Sequence, residues 1–332
     1  MKIRLIGHSG EAVFPFGTAG PWKEFEATLL SHGHTICAQG MNEGADAIIA
    51  HFYGKEVGAY MARWQIPREK RILVLWEPYV VETTRYRKSV LSKFGTTFAA
   101  SVEWAKVIKA HPFNWPQGEI LDEDVFTGWN LRQHRAVMVQ GNKFSARKGE
   151  LYSLRRKVII MLGQNKLDLY GTNWNKGFCF DIVKWIISAK RSRINQISFN
   201  SLYRLGNKYS NYCGNTNDKP ITLSQYKIAI VIENSADFVS EKLFDAVRSG
   251  CVTVYVGPDL RTFKIPISSA IQVGVNPKLI SKTVEILLGK SDEELEDIAR
   301  SQRSTLQTVS QDWDNTRVLS KLAGDMMAIL EG

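Results

Sequence analysis

The chain has 332 residues, 44% of them apolar, and a formal net charge of +10. That size allows two domains with separate cores, and no run approaches the ~20 apolar residues that a membrane-spanning helix needs. The charge favours acidic partners, but no zinc-finger, RNA-recognition or helix-turn-helix pattern accompanies it, so nucleotide phosphates or an anionic membrane face fit at least as well as nucleic acid.

The four cysteines, Cys37, Cys179, Cys213 and Cys251, form no CxxC and no metal-ligand spacing, as expected of reduced thiols in a cytosolic protein. The opening MKIRLIG reads as a strand and is too short, and too soon polar, for a signal peptide. The expected location is the cytoplasm, with peripheral attachment to an anionic membrane as the one departure. In chain order, Lys2–Gly7 predicts a strand followed by a Gly-rich turn. Trp22–Leu30 has helical spacing, and Thr35–Ala38 and Ala45–Phe52 read as strands. Lys55–Trp64 reads as a helix and Arg71–Trp76 as a buried strand. The strand Arg71–Trp76 delivers Glu77 at its carboxyl end, where Pro78 stops it. On pattern alone Glu77 is a surface turn residue. A helix over Arg85–Phe94 and a strand over Thr97–Ala100 follow, and strands alternating with helices predict an open, mainly parallel α/β sheet. His8, His32, His34 and His51 make no ligand set and read as loop or packed histidines.

From Phe113 to Arg135 the periodicity lapses, and the domain boundary is placed at its end, residue 135. Ala136–Gln140 opens a second α/β domain, with a loop at Gly141–Ser145 and a basic amphipathic helix over Glu150–Leu162 that carries Arg155, Arg156 and Lys157. Tyr170-Gly171 ends another strand. A helix over Lys176–Arg193 and a polar loop through Thr216 lead to the stretch around which the rest is arranged, Tyr226–Pro258. There Ile228–Ile232 is a strand covered on both faces. Glu233, Asn234, Ser235, Ala236 and Asp237 form a polar loop, and Ser240 suits a helix N-cap. Leu243, Phe244 and Val247 recur at helical spacing, Gly250 ends the helix, and Val252–Val256 is a second buried strand. Such a βαβ unit binds ligands where a strand's carboxyl end meets a helix's amino end, a corner attractive to phosphate. Lys242 is a cation in a helix's first turn and calls for an anion to compensate it. Ala270–Val273 predicts the last strand, and Pro277–Leu288, Asp292–Val309 and Thr316–Leu330 predict helices.

The stretch Tyr226–Pro258 resembles the donor-binding signature of the family 10 glycosyltransferases, the α-1,3/4-fucosyltransferases. In that family an apolar strand ends in Glu-Asn-Ser, here Glu233, Asn234 and Ser235. An aromatic-Val-Thr-Glu-Lys group follows, here Phe238, Val239, Ser240, Glu241 and Lys242, then a helix and a strand ending in Gly, here Gly257. Phe238 stands where the family has Tyr, which removes a hydroxyl contact to the donor, and the loop from Asn234 to Phe238 is short, which implies a change in how the fucose is held. The resemblance spans Ile72 to Trp313.

It implies an α/β fold of two Rossmann-like domains facing a cleft, the GT-B architecture, with residues 1–135 binding an acceptor glycan and residues 136–332 a nucleotide sugar. It implies transfer of L-fucose from GDP-fucose to a glycan hydroxyl with inversion. Glu77 matches the family's catalytic base, with Glu82, Glu11 or another first-domain carboxylate as the alternatives. Arg155 is the closest match to the arginine that contacts the donor phosphates, with Arg156 and Arg147 as alternatives. Lys242 would share that role, Asn234 and Glu241 would position ribose or fucose hydroxyls, and Ser235, Phe238, Tyr170 and Gly171 would line the nucleotide site. No metal or other cofactor is implied beyond GDP-fucose as donor substrate. The rival readings are a GT-B transferase using another GDP- or UDP-sugar, and a non-catalytic basic binding module.

Overall fold

The β-branched and apolar runs that open each half of the chain form parallel strands, and they force helices onto both faces of each sheet. A computed structural model describes residues 1–7, 22–37, 42–118, 120, 124–175 and 209–332. The helix expected over residues 176–193, Cys179, His8 and Glu11 lie outside the described residues. The chain divides into two units, residues 1–119 with 309–332, and residues 120–308.

The first unit runs β1 (Lys2–Ile6), α1 (Trp22–Ser31), β2 (Thr35–Ile36), β3 (Ala47–Ala50), α2 (Lys55–Arg63), β4 (Arg71–Leu75), α3 (Lys88–Leu91), β5 (Thr96–Ala99), α4 (Val102–Ile108) and β6 (His111–Pro112). Its six strands are parallel in the order β2-β1-β3-β4-β5-β6, so the winding reverses between β1 and β3. Side chains alternate strictly between two cores. Ala47, Ile49, Ile72 and Val74 face one, and Ile48, Ala50, Leu73 and Leu75 the other. The expected helix over residues 85–94 is instead a 3-10 turn at Thr83–Tyr86 followed by the single turn of α3, because Arg85 and Tyr86 are drawn into the unit's interior. Helix α4, unread in the sequence, is capped by the Ser101 hydroxyl accepting from the Trp104 amide at 3.3 Å.

The second unit runs β7 (Gln133–Val139), α5 (Tyr152–Lys166), β8 (Leu167–Tyr170), β9 (Tyr212–Gly214), α6 (Lys219–Leu223), β10 (Tyr226–Ile232), α7 (Glu241–Arg248), β11 (Val252–Val256), β12 (Ile271–Gln272), α8 (Pro277–Leu288) and α9 (Asp292–Ser310), the last reaching just past the division. Its six strands are parallel in the order β12-β11-β10-β7-β8-β9, which places the winding reversal between β7 and β10. The βαβ unit expected over Tyr226–Pro258 is β10-α7-β11, and all seven residues of β10 are buried. The backbone of α5 breaks at Gly163, where φ is 63°.

The domain division corrects the expected boundary at residue 135 in two ways. Phe126 and Trp129, from the irregular connection, belong to the second core, and the Trp129 indole donates to the Gly250 carbonyl at 2.8 Å. The second correction is larger. The C-terminal helix Asn315–Glu331 returns to the first unit, where Leu319, Leu322, Ala323, Met326, Met327 and Leu330 pack with Phe25 and Leu29 of α1. The Gln117 amide, at the end of the first stretch, donates to the Trp313 carbonyl at 2.7 Å. An apolar helical stripe specifies that the helix is covered, but not which sheet covers it. Among the described residues no helix is long and apolar enough to cross a membrane.

Leu319→Ala should cost about 2–5 kcal/mol, as for a fully buried leucine. Hydrogen exchange should quicken first in β1, β3 and β4, while β7 and β10 keep their protection. Loss of protection in β7 and β10 instead would place this helix on the second sheet.

Candidate functional site

The carboxyl ends of β7 and β10 are where an open α/β sheet makes a ligand crevice, because the chain leaves these two neighbours toward opposite faces. At the end of β10, the Glu233 amide extends the ladder by one residue, donating to the Val256 carbonyl at 2.8 Å. The Glu233 side chain is then fully buried, at 0% exposure. Its carboxylate accepts from the Ser240 amide at 2.9 Å and from the Ser240 hydroxyl at 2.6 Å, which closes loop 234–239 at its neck. The same hydroxyl oxygen caps α7, accepting from the Lys242 amide at 3.4 Å and from Lys242 Nζ at 2.8 Å.

Around this clasp, charges alternate. Lys242 Nζ lies 3.8 Å from Glu233 and 3.6 Å from Glu241; Lys219 Nζ lies 2.9 Å from Glu241 and 3.7 Å from Asp245. The anion that Lys242 calls for is thus supplied by the protein itself. Burial pushes the Glu233 carboxyl up, with Lys242 and the Ser240 hydrogen bonds pulling against it. Burial acts on Glu241 in the same sense, but there Lys242 and Lys219 outweigh it and hold the carboxyl below the usual range. Gly257 is glycine for want of room: a Cβ there would lie 2.4 Å from the Tyr255 hydroxyl and 2.9 Å from Glu233 Cγ.

Arg155, on α5, is the fixed point behind the loop. It is 1% exposed. Its Nε and Nη2 donate to the Ile232 carbonyl at 3.0 and 2.6 Å, Nη2 also donates to Asn234 Oδ1 at 3.0 Å, and Nη1 to the Gly141 carbonyl at 3.4 Å. The guanidinium lies over the Tyr152 ring, 4.9 Å from its centroid. Burial pushes its pKa down to about 10, so it stays charged at neutral pH. Arg155 therefore holds Asn234 and the ends of both crevice strands. Arg156 is also buried, donating to the Lys143 carbonyl at 2.7 Å, while Arg147 is exposed. The two crevice loops are stitched together: the Leu151 amide donates to the Asn234 carbonyl at 3.1 Å and the Ala236 amide to the Gly149 carbonyl at 3.3 Å.

The remaining residues singled out in the sequence fall into two groups. Asn234 and Ser235 are in the crevice, with the Ser235 hydroxyl buried and unpartnered among the described residues. Phe238 is buried. Tyr170 turns its hydroxyl to Tyr226, at the amino end of β10, 3.2 Å away; Tyr226 in turn donates to Asp168 at 3.0 Å. Gly171, at φ 128°, is required by close approach, since a Cβ would lie 2.3 Å from the Gln140 carbonyl oxygen. Gln140 itself was missed in the sequence. Its buried side-chain amide has no partner among the described residues, and a buried polar group at the end of a central strand is a mark of a binding crevice. Nothing distinguished it from an ordinary strand terminus before its neighbours were known.

In the first unit, Glu77 is half-buried just past the end of β4. Its carbonyl accepts from the Tyr86 hydroxyl at 2.8 Å. Burial pushes the Arg85 guanidinium down, opposed by the carboxylates of Glu82, at 2.8 Å, and Glu77. Arg85 also donates to the His51 carbonyl at 2.6 Å, and the Trp76 indole donates to His51 Nε2 at 2.5 Å. His51 is a packed histidine at the unit's own winding reversal.

No protein-family model matches the sequence, and no curated protein is detectably similar to it. Solved structures are similar in fold. Anabaena HepE in complex with UDP and glucose superposes with a TM-score of 0.58 at 12% identity, over 99% of this chain and 100% of that one. An α1,3-fucosyltransferase superposes with a TM-score of 0.54 at 13% identity, over 100% of this chain and 90% of that one. The pneumococcal O-GlcNAc transferase GtfA in complex with UDP and GlcNAc gives 0.50 at 11% identity, over 86% of this chain but 57% of that one. The fold is GT-B. At these identities the likeness extends to architecture and not to individual contacts.

The clasp has a measurable signature. Lys242→Met leaves Glu233 buried without its cation and should cost about 1–3 kcal/mol at neutral pH, with Glu233→Gln in the same chain restoring most of it. The folded-state pKa of Glu233 lies above its unfolded value, and losing Lys242 raises it further. The Lys242→Met penalty should therefore be greatest above that pKa and shrink as the pH falls through it and the carboxyl takes a proton. Urea titrations across pH measure this; a penalty independent of both pH and Glu233 would show the pair to be inert.

Proposed function

We propose that this chain is an inverting glycosyltransferase that moves L-fucose from GDP-fucose to a hydroxyl of a glycan acceptor, as α-1,3/4-fucosyltransferases do. One observation carries the reading. The segment Glu233–Lys242, with its Glu-Asn-Ser and Glu-Lys groups, sits at the carboxyl end of β10, beside the winding reversal of the second sheet, in a fold shared with an α1,3-fucosyltransferase.

In this reading the second unit binds the donor. Asn234, held by Arg155, and Glu241, held by Lys219 and Lys242, present fixed acceptors to ribose or fucose hydroxyls. The diphosphate lies at the amino end of α7, where the helix dipole favours an anion, and Lys242 turns to it from its internal carboxylates. Arg155 acts from behind, by positioning Asn234, and Arg147, exposed on the loop before α5, is the candidate for the phosphates themselves. The first unit binds the acceptor and supplies Glu77. As the acceptor oxygen bonds to the anomeric carbon, its proton passes to the Glu77 carboxylate. The bond from that carbon to the GDP oxygen breaks on the opposite face, which inverts the centre and leaves the new charge on GDP beside Lys242. A second reading has support of its own: a UDP-sugar donor, since the similar Anabaena HepE is a complex with UDP and glucose.

Nucleotide binding separates the readings. GDP at a hundredfold excess over its Kd should stabilise the fold by about 2.7 kcal/mol in a thermal scan. Stabilisation by UDP and not GDP would move the assignment to the second reading, and none by either would favour a binding module. Glu77→Gln should then lower turnover by about 10²–10⁴-fold with GDP affinity near the parent value. Full activity in Glu77→Gln would pass the base to Glu82 or Glu11.

A further inference from the structure

The outward faces of α5 and α8 form a surface that donor binding does not use. Both helices cover the same side of the second sheet: Val158, Ile159 and Leu162 of α5 share one core with Ile280, Val284 and Leu287 of α8. They run in the same direction, against the strands. Helix α5 leads from β7 back to β8, and the Leu288 carbonyl at the end of α8 accepts from the His134 ring at the start of β7, at 2.9 Å. On their outer sides Lys166 of α5 pairs with Glu285 of α8 at 2.5 Å.

With the inward positions committed to the core, four large apolar side chains face water: Ile160 (56% exposed) and Met161 (45%) on α5, Leu279 (48%) and Ile286 (57%) on α8. Single exposed apolar residues are ordinary, but four on two packed helices make a patch. Lys157 on α5 and Lys278 and Lys282 on α8 are exposed beside them, and among the described residues none of the three pairs with a carboxylate. On α8, residues 278, 279, 282 and 286 recur at helical spacing, so lysine and apolar side chains interleave on one face.

We propose that this face docks the protein onto an anionic membrane, with Lys157, Lys278 and Lys282 at the lipid phosphates and Ile160, Met161, Leu279 and Ile286 at the acyl boundary. The mixture of side chains selects this occupant. A two-fold dimer through the face would set unpaired lysines against their own copies, and a nucleic acid backbone would satisfy the lysines but leave the apolar residues in water. The inference does not rest on the donor assignment, since vesicle binding and nucleotide binding are read separately.

The test is sedimentation of the full chain with vesicles of equal parts phosphatidylglycerol and phosphatidylcholine, and with phosphatidylcholine alone. Binding to the anionic vesicles that weakens with salt is the expected result. Lys157→Glu, Lys278→Glu and Lys282→Glu combined should lower the partition coefficient by about a hundredfold or more. Ile160→Ser with Met161→Ser should lower it about tenfold or more. All these positions are exposed, and unchanged melting temperatures would show that the variants fold. Failure of the parent chain to sediment with anionic vesicles overturns the proposal, as does binding that ignores the lysine reversals. A concentration-dependent dimer abolished by Ile160→Ser and Met161→Ser would assign the face to self-association instead.

Discussion

The site in the second unit depends on one buried carboxylate. Glu233 stands at the end of a strand whose seven residues are all buried, where the backbone ladder stops and a charge has no water to turn to. Left alone it would be protonated or would force the strand end open. Ser240 and Lys242 answer it from seven and nine residues further along the chain, and in doing so they draw the loop into a closed turn and set the first turn of α7. The polar loop, the helix cap and the lysine are therefore one structure rather than three features that happen to adjoin.

Arg155 performs the complementary task from the other side of the sheet. Its guanidinium binds the last carbonyl of β10, the Asn234 amide oxygen and the loop after β7, so the two strands at the winding reversal are joined through a single side chain. Rigid support of this kind is what a binding loop needs if its polar groups are to meet a ligand without first being ordered. It also divides labour between neighbours on α5. The buried Arg155 and Arg156 are spent on the scaffold, whereas Lys157, the next residue along, is exposed on the outer face.

Both units obey the demand that a parallel sheet be covered on two faces, and they meet it differently. The first sheet takes α1 and the C-terminal helix on one face, so a helix from the far end of the chain completes its core. In the second, α5 and α8 cover one face with their inner sides, while their outer sides keep apolar residues that no part of the core requires. That surplus is set among Lys157, Lys278 and Lys282, which pair with no carboxylate among the described residues.

Sequence alone determined the elements whose pattern is local. The seven-residue apolar run of β10, the helical spacing of α7 and the β-branched run of β11 carry their own periodicity, so the βαβ unit, the parallel sheets and the Glu-Asn-Ser loop between strand and helix were all legible. The single turn of α3 was misread as a longer helix because burial of Arg85 and Tyr86 overrode its spacing. What only the tertiary structure decided were matters of partnership. An amphipathic stripe at Leu319, Leu322 and Met326 says that it will be covered, but the covering sheet lies in a distant part of the chain. Arg155, Arg156 and Arg147 look alike as basic residues until burial separates them. Gln140 looks like any strand end until β10 is laid beside β7. The anion for Lys242 could be anticipated from the helix dipole, but that it would be Glu233 followed only when the end of a strand and the start of a helix, far apart in chemistry and close in sequence, were closed on each other by Ser240.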